Sequence, residues 1–283
     1  MIDANALLAL EIPPTEQRWS ARDCALYALG VGLGSDPLDP RQLRFLDGPY
    51  LQAAPTMAVV LGYSGFWIEQ QPTGIDASAV LHGEQRLELH RPLPSAGHAR
   101  RVTRPTGVVD RGSRGAQIFV SEAIEDADGG APLATLSSSI FCRRDGGCGS
   151  TREAPPPRRP LPQRAADLTF AVPTLPQQAL IYRLSGDLNP LHSDPAFARA
   201  AGFERPILHG LASFGIAGMA LLGRLCDWEV SRFRALDVRF AGIVFPGEAL
   251  EIDAWRTGQG EAMFRASTRR GVALDAGVFG YAA

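Results

Sequence analysis

The chain has 283 residues, 45% hydrophobic and 20% charged, with a formal net charge of -2 at pH 7. That composition supplies core for one large or two small domains, and the near-balanced charge excludes the basic footprint of a nucleic-acid binder. Cys24, Cys142, Cys148 and Cys226 form neither the close pairs of a metal or redox site nor a disulfide framework, and read as reduced thiols of a cytosolic protein.

From the amino terminus, residues 1–11 lack a basic region ahead of their apolar residues and carry Asp3 and Glu11, so no signal peptide is expected. Ser20 is a plausible N-cap for a helix through Ala28, ended by Gly30. The glycines at 30, 32 and 34 follow a helix rather than a strand, which argues against a dinucleotide loop. Residues 81–91, 117–125 and 133–143 read as strands, with a turn at Asp128-Gly129-Gly130. The acidic run at 125–129 lacks the later glutamate of a calcium loop and reads as a hairpin turn. The clearest break follows: residues 149–165 are rich in proline and read as a stiff linker. It separates an N-terminal domain, 1–148, from a C-terminal domain, 166–283. The arginine pairs at 143–144 and 158–159 read as solvated surface.

The second half repeats the order of the first: a short helix, a second helical segment, then strands. Residues 211–226 are apolar almost all round, with only Ser213 and Arg224 polar, and a helix without a polar face is a buried helix. The longest charge-free apolar stretch, 210–222, is too short to span a bilayer. Leu236, Val238 and Phe240, then Leu250, Ile252 and Ala254, then Ala262, Phe264 and Ala266 alternate as in half-buried antiparallel strands. The chain ends Gly280-Tyr281-Ala282-Ala283, which is not the peroxisomal Ser-Lys-Leu address. One long buried helix per half, wrapped by an antiparallel sheet, is the hot dog architecture. The expectation is an α+β fold, a double hot dog.

The run from Tyr182 to Gly210 carries the chemistry. Asp187 and His192 flank Asn189 and Pro190, residues that make a rigid bend rather than a continuing helix. Such a bend can aim a carboxylate and an imidazole at one spot, and that pair can hold a water, take a proton from it and return one elsewhere. Asp194 and Pro195 start a short helix that Gly202 ends. Gly210 opens the buried helix, where amides lack internal acceptors and no side chain blocks a ligand oxygen. That suits a thioester oxyanion. No serine lies in a Gly-x-Ser-x-Gly elbow.

The run YRLSGDLNPLH, followed by PILHGL, resembles the signature of the hydratase 2 (MaoC-like) family. LYALGVG, LHGEQ, PLPSAG and DVRFAGIVFPGE extend the resemblance to its two-domain members over nearly the whole chain. The resemblance implies an (R)-specific enoyl-CoA hydratase, a lyase adding water reversibly and syn to trans-2-enoyl-CoA to give (R)-3-hydroxyacyl-CoA. It implies Asp187 and His192 as the catalytic pair, Asn189 as the residue that holds their loop, and the Gly210 amide at the thioester oxygen. It further implies substrate contacts at His82, Gly83, Arg111, Leu188, Pro190, Leu191 and Phe240. His82 could instead be a turn residue, Arg111 a surface charge and Phe240 plain core. The implied substrate is an acyl-CoA, with no metal and no cofactor beyond the CoA of the substrate. No nucleic acid or membrane partner is implied, but a homodimer in the cytoplasm is.

Set against each other, Tyr27 falls opposite Tyr182, Gly32 opposite Asp187 and Pro37 opposite His192. The N-terminal half therefore has the frame without the acid–base pair, and is expected to be non-catalytic and to accommodate the acyl chain. Three other functions remain open: a dehydratase for a specialised steroid side-chain or polyketide-type thioester, a hot dog thioesterase, and a non-enzymatic acyl-CoA-binding subunit.

Overall fold

The computed structural model describes residues 2–63 and 65–283, so Met1, part of the segment read as lacking a signal sequence, lies outside the described residues. Ten strands among the described residues form one antiparallel sheet: β1 (Thr15–Trp19), β2 (Val80–Leu89), β3 (Gly97–Asp110), β4 (Ala116–Asp126), β5 (Pro132–Cys142), β6 (Leu168–Pro173), β7 (Phe233–Phe240), β8 (Ala249–Gly258), β9 (Glu261–Thr268) and β10 (Gly271–Tyr281). Their order is β1-β3-β4-β5-β2-β7-β10-β9-β8-β6. Read outward from the β2–β7 junction, the strands on the two sides follow the same chain order. The junction is a continuous ladder from Glu84↔Arg239 to Glu88↔Ala235, with Leu87 opposite Leu236 and both fully buried.

The helices among the described residues are α1 (Ala4–Leu8), α2 (Ala21–Gly30), α3 (Pro40–Leu43), α4 (Trp67–Gln70), α5 (Gln178–Tyr182), α6 (Pro195–Ala200) and α7 (Gly210–Cys226). Helix α2 starts at Ser20, whose backbone and hydroxyl both donate to the Asp23 carboxylate, at 2.8 and 2.7 Å. Helix α6 starts at Asp194, which accepts from the amides of Ala196 and Phe197. No helix of the described residues is long and apolar enough to cross a membrane.

Helix α7 is the centre of the core. Ala212, Phe214, Ile216, Ala217, Met219, Leu221 and Leu222 are all buried. Glycines thin it where the N-terminal half approaches. A Cβ on Gly215 would lie 2.6 Å from Val31 Cγ1 and 2.8 Å from Tyr27 Oη. One on Gly218 would lie 2.7 Å from Thr56 Cγ2.

The halves differ in their central element. Where the C-terminal half has α7, the N-terminal half has a 3₁₀ helix of six residues, Pro55–Val60, every one buried. Its sequence opens on Pro55 and carries Thr56, Val59 and Val60, β-branched residues that disfavour helix extension. Leu61 turns extended and Gly62 follows at φ +66°, so the element cannot lengthen. Helix α7 thus serves as core for both halves.

Strand β3 hides in the sequence because its inward positions are not all apolar. Arg101 points into the core and pairs with Glu122 of β4, through Nε–Oε1 at 2.9 Å and Nη2–Oε2 at 2.6 Å. Arg101 Nη1 also donates to the carbonyls of Val59 and Leu61, and Thr103 donates to Glu122. The pair therefore fixes the short 3₁₀ helix against the sheet. Pro105 sits at a register shift of β3, where a missing N–H costs least.

Residues 149–165 form neither helix nor strand and cross the outer face of the sheet. Contrary to a solvated reading, Arg158 is only 23% exposed and bridges Glu84 of β2 and Asp237 of β7, at 3.0 and 2.6 Å. Arg159 reaches Glu261 of β9. Arg144 does lie at the surface, paired with Asp76. All four cysteines are free.

Removing one member of the buried Arg101–Glu122 pair strands the other charge. Arg101→Met should cost about 3–5 kcal/mol by urea denaturation, while Arg101→Met with Glu122→Leu should recover most of that loss. Equal losses in the single and double variants would show that the pairing is not what matters.

Candidate active site

Helix α5 and a 3₁₀ turn at Arg183–Ser185 run into Gly186, whose φ of +128° releases the chain into the bend. Local side chains then fix it. The Asp187 carboxylate accepts from the Asn189 amide at 3.1 Å, and Asn189 Oδ1 accepts from the Leu191 amide at 2.9 Å. Pro190 starts a 3₁₀ turn that ends on His192. The exposed Asn189 holds the loop through this bond, as its residue type suggests.

The extended stretch 204–209 lies between this bend and the loop after β7. The Leu208 amide donates to the Val244 carbonyl at 2.7 Å. The Ile207 carbonyl faces His192 Nδ1 at 2.9 Å. A carbonyl only accepts, so Nδ1 carries the ring proton and Nε2 keeps its lone pair. His192 is 9% exposed. Burial pushes its pKa below the ordinary imidazole value, and the Ile207 carbonyl and Asp187 oppose that shift. The product is a neutral imidazole with one free basic nitrogen.

Gly210 is the first residue of α7, so its N–H has no acceptor within the helix. A Cβ there would lie 3.2 Å from the Phe240 ring. Phe240 in turn packs on the His82 ring, with centroids 4.8 Å apart. Gly210, Phe240 and His82 thus form one wall running from the C-terminal half to β2 of the N-terminal half. His82 is fixed by a bond between Nε2 and the Glu84 carbonyl at 3.1 Å, across a register shift that contains Gly83. Leu188 is 60% exposed and Pro190 is exposed, at the rim of the bend, whereas Leu191 is half-buried.

Arg111 stands apart. It donates to Gln117 at 2.8 Å and lines a cavity of about 510 Å³ with Gln117, Phe141, Arg158 and Arg239. Cross-strand partners share a face of a sheet. Gln117 pairs with Phe141, whereas His82 pairs with Ile140 and Ile140 with Ile118. Arg111 therefore opens on the outer face under the linker, and His82 lies on the inner face.

Residue types alone did not reveal His209. It is 1% exposed, its Nε2 lies 3.1 Å from the Asp187 backbone carbonyl, and its ring stacks on His192 with centroids 3.7 Å apart. One donor atom from each of Asp187, His192 and His209 falls within 4.8 Å of the others. The sequence conceals this cluster, because a turn, a helix and an extended stretch separate residues 187 and 209. Among the described residues it is the group of acids and imidazoles that could hold a metal ion. Its two rings are nearly parallel, 27° apart, an arrangement better suited to stacking than to converging lone pairs. The buried Gln178 was also illegible. It donates to the carbonyls of Leu29 and Gly30, at 2.8 and 2.7 Å, and ties α5 to the end of α2. There Tyr27 and Tyr182, matched in the sequence alignment of the halves, pack with centroids 5.9 Å apart.

Residues 157–276 match the family described as MaoC like domain, and residues 18–144 match the MFE-2 hydratase 2 N-terminal domain. The chain is 44% identical over 264 residues to "Enoyl-CoA hydratase ChsH3" of Mycobacterium tuberculosis, covering 91% of each. It is 36% identical over 273 residues to "Enoyl-CoA hydratase 2, peroxisomal" of Arabidopsis thaliana, covering 90% of this chain and 88% of the relative. A solved MaoC-like dehydratase from Phytophthora capsici superposes with a TM-score of 0.86 at 34% identity, covering 98% of both chains.

Burial pushes the His209 pKa down to about 3, with the neighbouring His192 adding to the effect. The unfolded chain takes up that proton near the ordinary value of about 6.5, so between these limits the unfolded state binds more protons. Stability from this group is complete above about pH 6.5 and is lost progressively as pH falls toward 3. The melting temperature should drop over that window, and less steeply in His209→Phe. Identical slopes in the two proteins would show that another group sets the acid limit.

Proposed function

Because the chain belongs to the MaoC-like, hydratase 2 family, we propose that Asp187, His192 and the Gly210 amide hydrate trans-2-enoyl-CoA at the site just described. The protein is an enoyl-CoA hydratase, a hydro-lyase, and forms (R)-3-hydroxyacyl-CoA. The observation that carries the residue assignment is the Nδ1–H bond of His192 to the Ile207 carbonyl, which leaves Nε2 unprotonated on a ring that has a nitrogen within 4.8 Å of an Asp187 carboxylate oxygen.

In the proposed reaction Asp187 and His192 hold one water over C3 of the substrate. Its O–H bond breaks, the proton passes to His192 Nε2 and the oxygen bonds to C3. The electron pair of the C2–C3 double bond moves to the thioester oxygen, where the Gly210 N–H stabilises the developing enolate. The enolate collapses as C2 takes a proton from the Asp187–His192 pair on the same face. One water is consumed and no electrons leave or enter. The same steps reversed are a dehydration, so the dehydratase reading shares this site.

The substrate's two ends would meet different halves. The N-terminal half, with Gly32 and Pro37 in place of the acid–base pair, would accommodate the acyl chain beyond the wall formed by His82 and Phe240. Gly83, Leu188, Pro190 and Leu191 would line the approach. Arg111 would pair with a CoA phosphate by a charge-assisted bond, which requires the nucleotide to reach the outer face of the sheet. The homodimer and the cytoplasmic residence that the resemblance implies belong to the same proposal, to be checked by light scattering and cell fractionation.

With trans-2-decenoyl-CoA, loss of enoyl-thioester absorbance should accompany an (R)-3-hydroxy product on a chiral column. Asp187→Asn and His192→Gln should each lower turnover roughly 10²–10⁴-fold in a folded protein. The acid limb of kcat/KM should fall below the ordinary imidazole value, since His192 acts as a neutral base whose pKa burial lowers. Free thiol without hydroxyacyl product would establish a thioesterase instead.

Arg111→Ala should raise KM for the CoA thioester while leaving KM for the corresponding N-acetylcysteamine thioester unchanged. A four-carbon substrate should be used less efficiently than a ten-carbon one. Equal effects on both thioesters would remove Arg111 from CoA recognition, and equal efficiency at both lengths would remove the acyl-chain role of the N-terminal half.

A further inference from the structure

We propose that His209, a residue outside the acid–base pair, is a positioning residue that sets the geometry of Asp187 and His192 together. Two contacts carry this. The His209 Nε2–H donates to the Asp187 backbone carbonyl at 3.1 Å, a bond spanning 22 residues, and pins the main chain from which the carboxylate projects. The face of the same ring lies on His192 at 3.7 Å and 27°, fixing the plane in which His192 Nε2 presents its lone pair. The Ile207 carbonyl holds His192 along its ring edge, so the ring is constrained both in its plane and across it.

The remaining ring atom shows what this arrangement sacrifices. His209 Nδ1 is buried with no hydrogen-bond partner among the described residues. An unmet buried acceptor is destabilising. Phenylalanine would fill the same space against Tyr182, whose ring centroid lies 5.0 Å away, and would leave no such atom. A ring present for packing alone has no use for its nitrogens, whereas one that must donate to the Asp187 carbonyl while stacking on His192 needs an imidazole. The charged and titratable groups around it are His192, Asp187, Arg183 and Tyr182. None of them contacts Nδ1 by a hydrogen bond.

The two contacts can be separated by substitution. His209→Gln keeps a side-chain donor for the Asp187 carbonyl and loses the stack. His209→Phe keeps the stack and loses the donor. His209→Ala loses both. A displacement on the order of 1 Å at reacting groups costs about 10²-fold. The expected result is a fall in kcat of about 10²-fold in His209→Ala, with smaller losses in the Gln and Phe variants and KM within about threefold throughout. His209→Phe should melt within a few degrees of the unaltered protein, so that slowing and unfolding part company.

The kinetic arm rests on the hydratase reading. A second measurement does not: the imidazole ¹⁵N spectrum of the protein, which has five histidines. In the unaltered protein His192 should give one sharp pair of signals with Nδ1 protonated, and in His209→Ala those signals should broaden or average between tautomers. A folded His209→Ala with unchanged kcat, or unchanged His192 signals, would overturn the inference. An unaltered protein inert toward every enoyl-CoA would overturn the hydratase reading, and the ¹⁵N spectra would still decide the role of His209.

Discussion

A helix that is apolar on every side can exist in water only if it is covered on every side, and α7 imposes that demand on the rest of the chain. A single sheet of five strands and its short helices covers one flank. The other flank must come from elsewhere in the sequence, and it comes from the N-terminal half, whose Tyr27, Val31 and Thr56 press onto Gly215 and Gly218. The seam between β2 and β7 follows, because it brings the two halves of the sheet round one helix. The end of that helix then matters chemically. Side chains can surround its flanks, but the first amides of α7 emerge at Gly210, with the Phe240 ring beside it. The site lies at that end of the helix, where Gly210 is only half-buried.

The two halves have diverged around this helix in complementary ways. The C-terminal half keeps the long helix and the bend bearing Asp187 and His192. The N-terminal half keeps the sheet, shortens its central element to six residues and stiffens it with the buried Arg101–Glu122 pair. A buried ion pair contributes less to stability than an apolar replacement often would, but it fixes the position of what it binds. Here it binds the carbonyls of Val59 and Leu61, just before Tyr63, whose ring lies near both Arg101 and Gly186. The N-terminal half therefore braces the start of the bend at Gly186.

Legibility followed locality. The caps at Ser20 and Asp194, the bend through Asn189 and Pro190, the opening of α7 at Gly210 and the alternating strands of the C-terminal half were readable because neighbours in sequence determine them. Strands β1, β3, β6 and β10 were not. β3 carries inward charge at Arg101, and β10 breaks its period at a bulge between Asp275 and Val278. The length of the N-terminal helix was overestimated from analogy between the halves. The roles of His209 and Gln178 depend on partners 22 and about 150 residues away, and the placement of Arg111 depends on which face of the sheet it leaves. No local pattern encodes those distances.

The ionic clasp of Arg158 on Glu84 and Asp237 gives the linker a meaning beyond connection. Two hot dog units that pair across a seam as separate chains would part on dilution, and every shared site would empty with them. Here the partner is supplied at an effective concentration set by a short tether that is itself bound across the seam, so association is unimolecular and independent of expression level. A unit that can never lose its partner is free of the need to work alone. That freedom lets the two halves diverge, as their central helices of six and seventeen residues have done.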